Sequence, residues 1–269
     1  MRRSKLREVL ESLLEGLLTV EEAEKQLKLL SILEVEDFAR VDVGRELRRG
    51  VPEIVLAEGK PPKETLKIVV RLVEEAGRAL VARASPSHLA SLAKLKSRFK
   101  VEIWRDAGLA VVKRPGFRVE KTGGKVAVFT AGTADIPVAR EVEVVAGEMG
   151  CETFSAYDVG VAGLHRLLKP LREALSWGAH VFVVVAGMEG ALPSVVASLV
   201  DVPVVGVPTS TGYGYGGRGK AALASMLQTC SLGLAVVNID NGVGAGVYAA
   251  LIANQAVQGR GSKQAEEKK

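Results

Sequence analysis

The chain has 269 residues, 48% of them apolar and 25% charged, with a net charge of +5. That length supplies one large or two modest domains with a real core, and the composition is that of a soluble globular protein. Aromatic residues are only 4%, which argues against a base-stacking platform for single-stranded nucleic acid.

Leu6 to Leu17 carries apolar residues at helical spacing. Thr19-Val-Glu-Glu22 has the form of a capping box and opens a second helix to about Leu30. After a polar stretch, Glu53 to Ala57 reads as a short strand. Pro61-Pro62 starts a helix that runs to Glu75 and is closed by Gly77. Ala79 to Arg83 is a strand, Ser85 caps a further helix, and Lys100 to Trp104 with Leu109 to Lys113 forms a hairpin. Residues 1–120 are therefore expected to form a small α/β domain.

From Thr122-Gly-Gly124 onward the pattern becomes strict alternation of strand and helix. Strands are expected at Lys125 to Phe129, Glu152 to Ala156, His180 to Ala186, Val202 to Val207 and Leu234 to Ile239. The intervening helices fall at about Pro137 to Met149, Gly163 to Trp177, Leu192 to Leu199 and Gly217 to Thr229, with a last one at Gly244 to Val257. Continuously apolar strands in five β-α units predict a parallel sheet covered on both faces. Right-handed crossovers make residues 121–258 a doubly wound sandwich of flavodoxin or Rossmann type. Residues 259–269 read as a disordered tail.

Several classes are excluded or disfavoured. The longest apolar runs, such as Val181 to Gly187, are strand length, so no membrane partner is expected. Two cysteines make no disulfide framework and no signal peptide is evident, so the expected location is cytoplasmic, with reduced thiols. Basic clusters at Arg2-Arg3, Arg45 to Arg49 and Lys94 to Arg98 lack any zinc-finger or basic-helix signature, and nucleic acid is not expected as a partner.

In a doubly wound sheet, ligands bind beyond the carboxyl ends of the strands. Polar and glycine residues gather there in five stretches: Thr130 to Asp135, Tyr157 to Gly160, Gly187 to Gly190, Pro208 to Gly219 and Asn238 to Gly246. Gly214 to Lys220 matches the GxxxxGK phosphate loop, but Ala221 replaces the hydroxyl that would hold Mg²⁺. What survives is a glycine-rich loop that presents backbone donors to an anion. Gly242-Val-Gly244-Ala-Gly246 has glycines at the wrong spacing for a dinucleotide fingerprint, because Val247 stands at the third position. Thr133 or Asp135 can cap the helix that follows the first strand, with or without anion binding at the same terminus.

Glu189, after the most apolar strand, admits two readings: a proton-transfer group in a partly desolvated cleft, or a first-turn residue favourable to the helix dipole. Of the histidines, His88 reads as a helix surface residue, His180 as the start of a strand and His165 as a helix residue, none with a partner. Cys230 reads either as a nucleophile or as a buried thiol packing as a small hydrophobe.

Thr130 to Asp135, Ala186-Gly-Met-Glu-Gly-Ala-Leu-Pro193 and the Pro208 loop resemble the PurE family of aminoimidazole ribonucleotide carboxylases and mutases. That family carries a catalytic histidine just before the Leu-Pro pair, where this chain has Ala191. Gly187 to Gly190, Pro208 to Gly214, Cys230 and Val237 to Gly242 instead resemble the LarB branch, which begins synthesis of the nickel-pincer nucleotide cofactor of lactate racemase. Arg45 to Glu53 and Ala57 to Lys60 also resemble LarB, although Asp42-Val-Gly-Arg45 departs from the family's Asp-His-His-Arg.

The LarB resemblance implies a PurE-like three-layer sandwich with a smaller N-terminal α/β domain. It also implies carboxylation of the pyridinium ring of nicotinic acid adenine dinucleotide, with phosphoanhydride hydrolysis that releases AMP and pyridinium-3,5-biscarboxylic acid mononucleotide. Cys230 is then the nucleophile and Glu189 the base, with Lys220 or Arg218 able to stabilise the thiolate against an unfavourable helix end.

Substrate contacts are expected from Thr130, Gly132, Thr133, Asp135 and Asp158 after the first two strands. Gly187, Met188 and Gly190 supply the third loop, Thr209, Ser210, Gly212 and Gly214 the fourth, and Asn238, Asp240 and Asn241 the fifth. Asp42, Arg45 and Lys60 are expected contributors from the N-terminal domain. Asp135 and Asp240 are expected to hold Mg²⁺ alongside the diphosphate, CO₂ or bicarbonate to be the co-substrate, and the protein to be a homo-oligomer, an octamer by family resemblance. The alternatives are a PurE-like carboxylase or mutase and a non-catalytic nucleotide-binding regulator.

Overall fold

The computed structural model describes residues 9–29, 32–36 and 38–266; Leu6 to Glu8 of the expected first helix, and Arg2-Arg3, lie outside them. The chain divides between Phe117 and Arg118 into two compact units, where the sequence reading ends the first domain at residue 120. Each unit has its own apolar core.

In the first unit, α1 occupies residues 9–14 and α2 Val20–Leu29. The capping box closes as expected: Thr19 N–H donates to Glu22 Oε2 at 2.9 Å, and Glu22 N–H to Thr19 Oγ1 at 3.2 Å. The stretch read as polar loop contains instead an antiparallel pair, β1 (Ile32–Val35) and β2 (Ala39–Asp42), and a short helix α3 (Arg45–Arg49). Its apolar residues meet across the pair, Leu33 opposite Val41 and Val35 opposite Ala39, but the charges between them hide the alternation.

β3 (Ile54–Leu56), α4 (Pro62–Ala76), β4 (Arg78–Ala82), α5 (Pro86–Ala93), β5 (Lys100–Trp104) and β6 (Leu109–Lys113) follow. They build a four-stranded mixed sheet of order β3-β4-β6-β5. α4 buries Thr65, Ile68, Val69, Leu72 and Val73, the 3-4 spacing that lays one helix stripe on a sheet. His88 is not a surface residue. It is buried, with Nδ1 2.6 Å from Ser85 Oγ and Nε2 2.8 Å from the Lys60 carbonyl, so it locks the start of α5 to the loop before α4.

The second unit carries β7 (Lys125–Thr130), α6 (Ile136–Glu148), β8 (Glu152–Ala156), α7 (His165–Trp177), β9 (Val181–Ala186) and α8 (Leu192–Ala197). β10 (Val204–Pro208), α9 (Lys220–Leu227), β11 (Leu234–Val236) and α10 (Gly242–Glu266) complete it. The five strands are all parallel, in the order β8-β7-β9-β10-β11. This is the flavodoxin-like 2-1-3-4-5 arrangement, whose switch point lies between its first and third strands, here β7 and β9.

Every residue of β9 and β10 is buried, as a sheet covered on both faces requires. Phe129 and Phe182 meet edge to face at 5.3 Å in the core. α10 runs on to Glu266 rather than giving way to a tail after Gln258; its Ala, Gln, Lys and Glu residues are good helix formers.

Candidate active site

Where β7 and β9 part, the loops after β7, β8 and β9 enclose a cleft of about 270 Å³. Its walls include Gly132, Asp135, Asp158, Gly187, Met188 and Glu189. A short 3₁₀ turn, Thr133–Asp135, carries the chain out of β7. The Asp135 carboxylate neither caps α6 nor points outward. Its Oδ2 accepts from Gly132 N–H at 2.9 Å and its Oδ1 from the Thr209 hydroxyl at 2.7 Å.

Asp135 is 3% exposed and Thr209 1%. Burial pushes the carboxyl up from its ordinary value, opposed by hydrogen bonds from Thr209 and the Gly132 and Gly187 backbones and reinforced by Asp240. Thr130 is also buried, and its hydroxyl accepts from Asp158 N–H at 3.1 Å, tying the first two loops together.

Four of the five loops hold a non-glycine residue in the left-handed region: Asp158 (φ 58°), Met188 (φ 48°), Arg218 (φ 59°) and Asp240 (φ 56°). Such conformations persist only where surroundings enforce them, and they concentrate at functional sites. For Asp158, Met188 and Asp240 the enforcers are visible. Asp158 is held by Thr130 and by Arg166 Nη1, 2.5 Å from its Oδ2. Met188 N–H donates to the Thr211 carbonyl at 3.0 Å, and Asp240 N–H to the Pro208 carbonyl at 2.9 Å. Beside Met188, a side chain on Gly187 would come within 2.3 Å of the Thr211 carbonyl oxygen, so only glycine lets the third and fourth loops meet.

Glu189, for which the sequence leaves two readings, lines the cleft and stands exposed on it. Thr133 and Ser210 are exposed; Ser210 N–H donates to Asp240 Oδ1 at 2.8 Å. Gly212 (φ 144°) and Gly214 (φ 75°) shape the fourth loop around the exposed Tyr213 and Tyr215. Asn238 and Asn241 serve the fifth loop itself, accepting from Ile239 N–H and Gly244 N–H, each at 2.9 Å.

Asp42, Arg45 and Lys60 belong to the first unit. Arg45 Nε lies 3.0 Å from Glu53 Oε2 and 3.9 Å from Asp42 Oδ2, and Lys60 Nζ donates to the Leu56 carbonyl at 2.6 Å. Arg166 is the cation in the cleft wall that sequence reading missed; its only signal is its place as the second residue of α7, eight residues after Asp158.

Mg²⁺ does not fit the acidic pair as a protein-built centre. Both Asp135 oxygens are engaged and Asp240 Oδ1 accepts from Ser210. Among the described residues no group of three His, Cys, Asp or Glu side chains could hold a metal ion.

Cys230 is exposed, so the packing alternative fails. It stands between the end of a helix and the last strand, as its place in the sequence implies. α9 ends at Leu227, and Cys230 lies in the loop leading into β11, whose Gly233 carbonyl accepts from Val204 N–H at the start of β10. Ser231 Oγ fixes this loop to the Ser194 carbonyl at 2.8 Å. The thiol therefore belongs to the incoming side of the sheet, and the cleft to the outgoing side. About 12 Å of helix separates the start of α9, where Lys220 sits, from the Cys230 loop. Cys151, the other thiol, is buried against α10 with its Sγ 3.3 Å from Asn254 Oδ1, and burial pushes it up to about 11.

Histidine chemistry is missing from this cleft. Ala191 lines it, His165 is exposed at the start of α7, and His180 accepts from Lys125 N–H at the opposite sheet edge. No described helix is long and apolar enough to cross a membrane.

A two-domain α/β protein with a strand-end cleft at a flavodoxin-like switch point is the class that these features define. Residues 125–268 match the AIR carboxylase family, and residues 33–114 match the LarB/PurE-like N-terminal domain. The chain belongs to the AIR carboxylase family, in the LarB form that joins these two domains. It is 45% identical over 251 residues to the uncharacterized protein MJ0165 of Methanocaldococcus jannaschii, covering 92% of this chain and 96% of that one. It is also similar to N5-carboxyaminoimidazole ribonucleotide mutases. That of Thermotoga maritima is 29% identical over 133 residues, 48% of this chain and 74% of that one. That of M. jannaschii is 31% identical over 126 residues, 46% and 75% respectively.

Proposed function

We propose that this protein carboxylates the pyridinium ring of nicotinic acid adenine dinucleotide and hydrolyses its phosphoanhydride, releasing AMP and pyridinium-3,5-biscarboxylic acid mononucleotide. The observation that carries the reading is Ala191. It places a methyl group in the cleft wall where the purine-pathway mutases need an imidazole, while a carboxylate, Glu189, remains there.

The residues suit a thiol-assisted carboxylation. The Cys230 thiolate adds to ring carbon 6 and the electron pair moves into the ring, making carbon 5 a nucleophile toward CO₂. Carbon 5 forms its bond to CO₂ and still carries its hydrogen. Glu189 takes that proton, the thiolate leaves carbon 6, and aromaticity returns. Mg²⁺, where present, accompanies the diphosphate as part of the substrate.

Cys230 is not among the residues that line the cleft, so the reading includes a homo-oligomer in which a neighbour supplies the thiol. Arg218 and Lys220, at the outgoing side of the sheet, would then belong to the receiving copy and flank the incoming anion.

The test is incubation with nicotinic acid adenine dinucleotide, bicarbonate and Mg²⁺, followed by mass spectrometry. AMP with a carboxylated mononucleotide is the expected outcome; conversion of N5-carboxyaminoimidazole ribonucleotide instead would overturn the reading. Cys230→Ala and Glu189→Gln should each lose about 10²-fold or more in carboxylation. Co-assembled, the two inactive variants should recover about a quarter of the sites, because half the donors and half the receivers are intact. Failure to complement would place thiol and carboxylate in one chain.

A further inference from the structure

In the first unit, a cluster of exposed apolar residues and a groove of opposite electrostatic character stand on separate elements. Leu14 is 86% exposed and Leu17 71%, with Leu10 and Val20 also exposed. Leu10 and Leu14 share one face of α1 at i, i+4 spacing; Leu17 and Val20 continue the patch across the turn into α2. Between residues 10 and 24 the chain has five glutamates and no lysine or arginine. These are four exposed apolar side chains within eleven residues, the kind of surface that a partner covers.

The groove lies between the β1–β2 turn and α4. Val35, Leu66 and Val70 form its floor, and Lys63, Lys67 and Arg71, one per turn of α4, form its rim. Glu36 also lines it and holds Lys67 at 2.7 Å, and Arg71 lies 3.8 Å from Glu74 on its own helix, so the lining itself carries three cations and one carboxylate. Leu66 and Val70 fall outside the stripe by which α4 packs on its own sheet, so they are only half-buried. The chain's own leucine patch does not fill this groove, since Leu14 and Leu17 remain exposed.

We propose that the α1–α2 leucine patch of one copy seats in the α4 groove of a second copy. The leucines cover Leu66 and Val70 while Glu15 and Glu21 face Lys63 and Arg71. The opposite charges select the partner surface, and the apolar burial supplies the affinity. This contact lies within the N-terminal unit and stands whether or not the proposed reaction does.

The test places the photoreactive benzoylphenylalanine at Leu14 in the full chain. Normal and ¹⁵N-labelled copies are mixed, irradiated and mapped by mass spectrometry. Mixed-isotope adducts on residues 63–71 are expected. The triple variant Lys63→Glu, Lys67→Glu, Arg71→Glu should cut their yield about tenfold or more, and adding Glu15→Lys with Glu21→Lys should restore it. Lys63, Arg71, Glu15 and Glu21 are exposed and Lys67 is half-buried; circular dichroism checks that each variant keeps the fold, and Lys63→Glu with Arg71→Glu alone should show the same loss. Adducts within one isotope only, adducts elsewhere on the second copy, or a yield indifferent to the charge reversal would each overturn the contact.

Discussion

Asp135 is a carboxylate kept where water barely reaches, held by one hydroxyl and two backbone donors. Thr209→Val deletes the hydroxyl and leaves a buried acceptor short of a partner, a loss of about 1–3 kcal/mol. The sign with pH follows from the raised carboxyl. The folded state keeps the proton to higher pH than the unfolded chain, so this group's stabilisation is present at acid pH and is lost as pH rises through its folded value. Because Thr209 favours the ionised form, the variant's deficit should grow from pH 4 toward pH 7. Urea midpoints across that range check it; a deficit constant with pH would contradict the assignment.

Cys151 gives the alkaline counterpart. With its thiol raised to about 11 from an ordinary 9.0, its contribution is complete below about pH 9 and lost as pH climbs to about 11. Cys151→Ala should flatten that limb of the stability curve.

At the scale of elements, α10 and α6 approach closely through glycine. A side chain on Gly242 would sit 2.4 Å from the Val138 carbonyl oxygen, and one on Gly246 3.0 Å from that of Val142. Gly242→Ala should therefore cost about 1–3 kcal/mol by overpacking. Gly147, on α6 with open space around it, should gain about 0.5–1 kcal/mol as alanine. Thermal unfolding of the two variants should move in opposite directions.

These glycines also show what sequence reading could reach. Their spacing excluded a dinucleotide fingerprint, but their actual use depends on which helix lies opposite. The parallel strands were legible because burial on both faces makes them continuously apolar. The β1–β2 pair was not, because Glu34, Glu36 and Arg40 interrupt its pattern. Loops at the outgoing strand ends could be named from the β-α order alone. Cys230 was legible as a residue between the end of a helix and the last strand, and Arg166 was missed because an ion pair with Asp158 leaves no mark in spacing.

At the scale of the whole molecule, the two cores share no buried residue in their clusters. A fragment of residues 118–269 should keep a single cooperative unfolding transition and the near-ultraviolet signal of packed aromatics. Loss of both would mean that the first unit is required to fold the second. The sheet order has one more consequence, which concerns synthesis. β7 emerges first among its strands yet occupies an interior place between β8 and β9, and Val126 must wait for Val181, about 55 residues later, before its second edge is paired. In that interval Val126 to Phe129, four residues with no exposure in the finished fold, form an open-edged apolar strand. That nascent segment is where a ribosome-associated chaperone has most to shield.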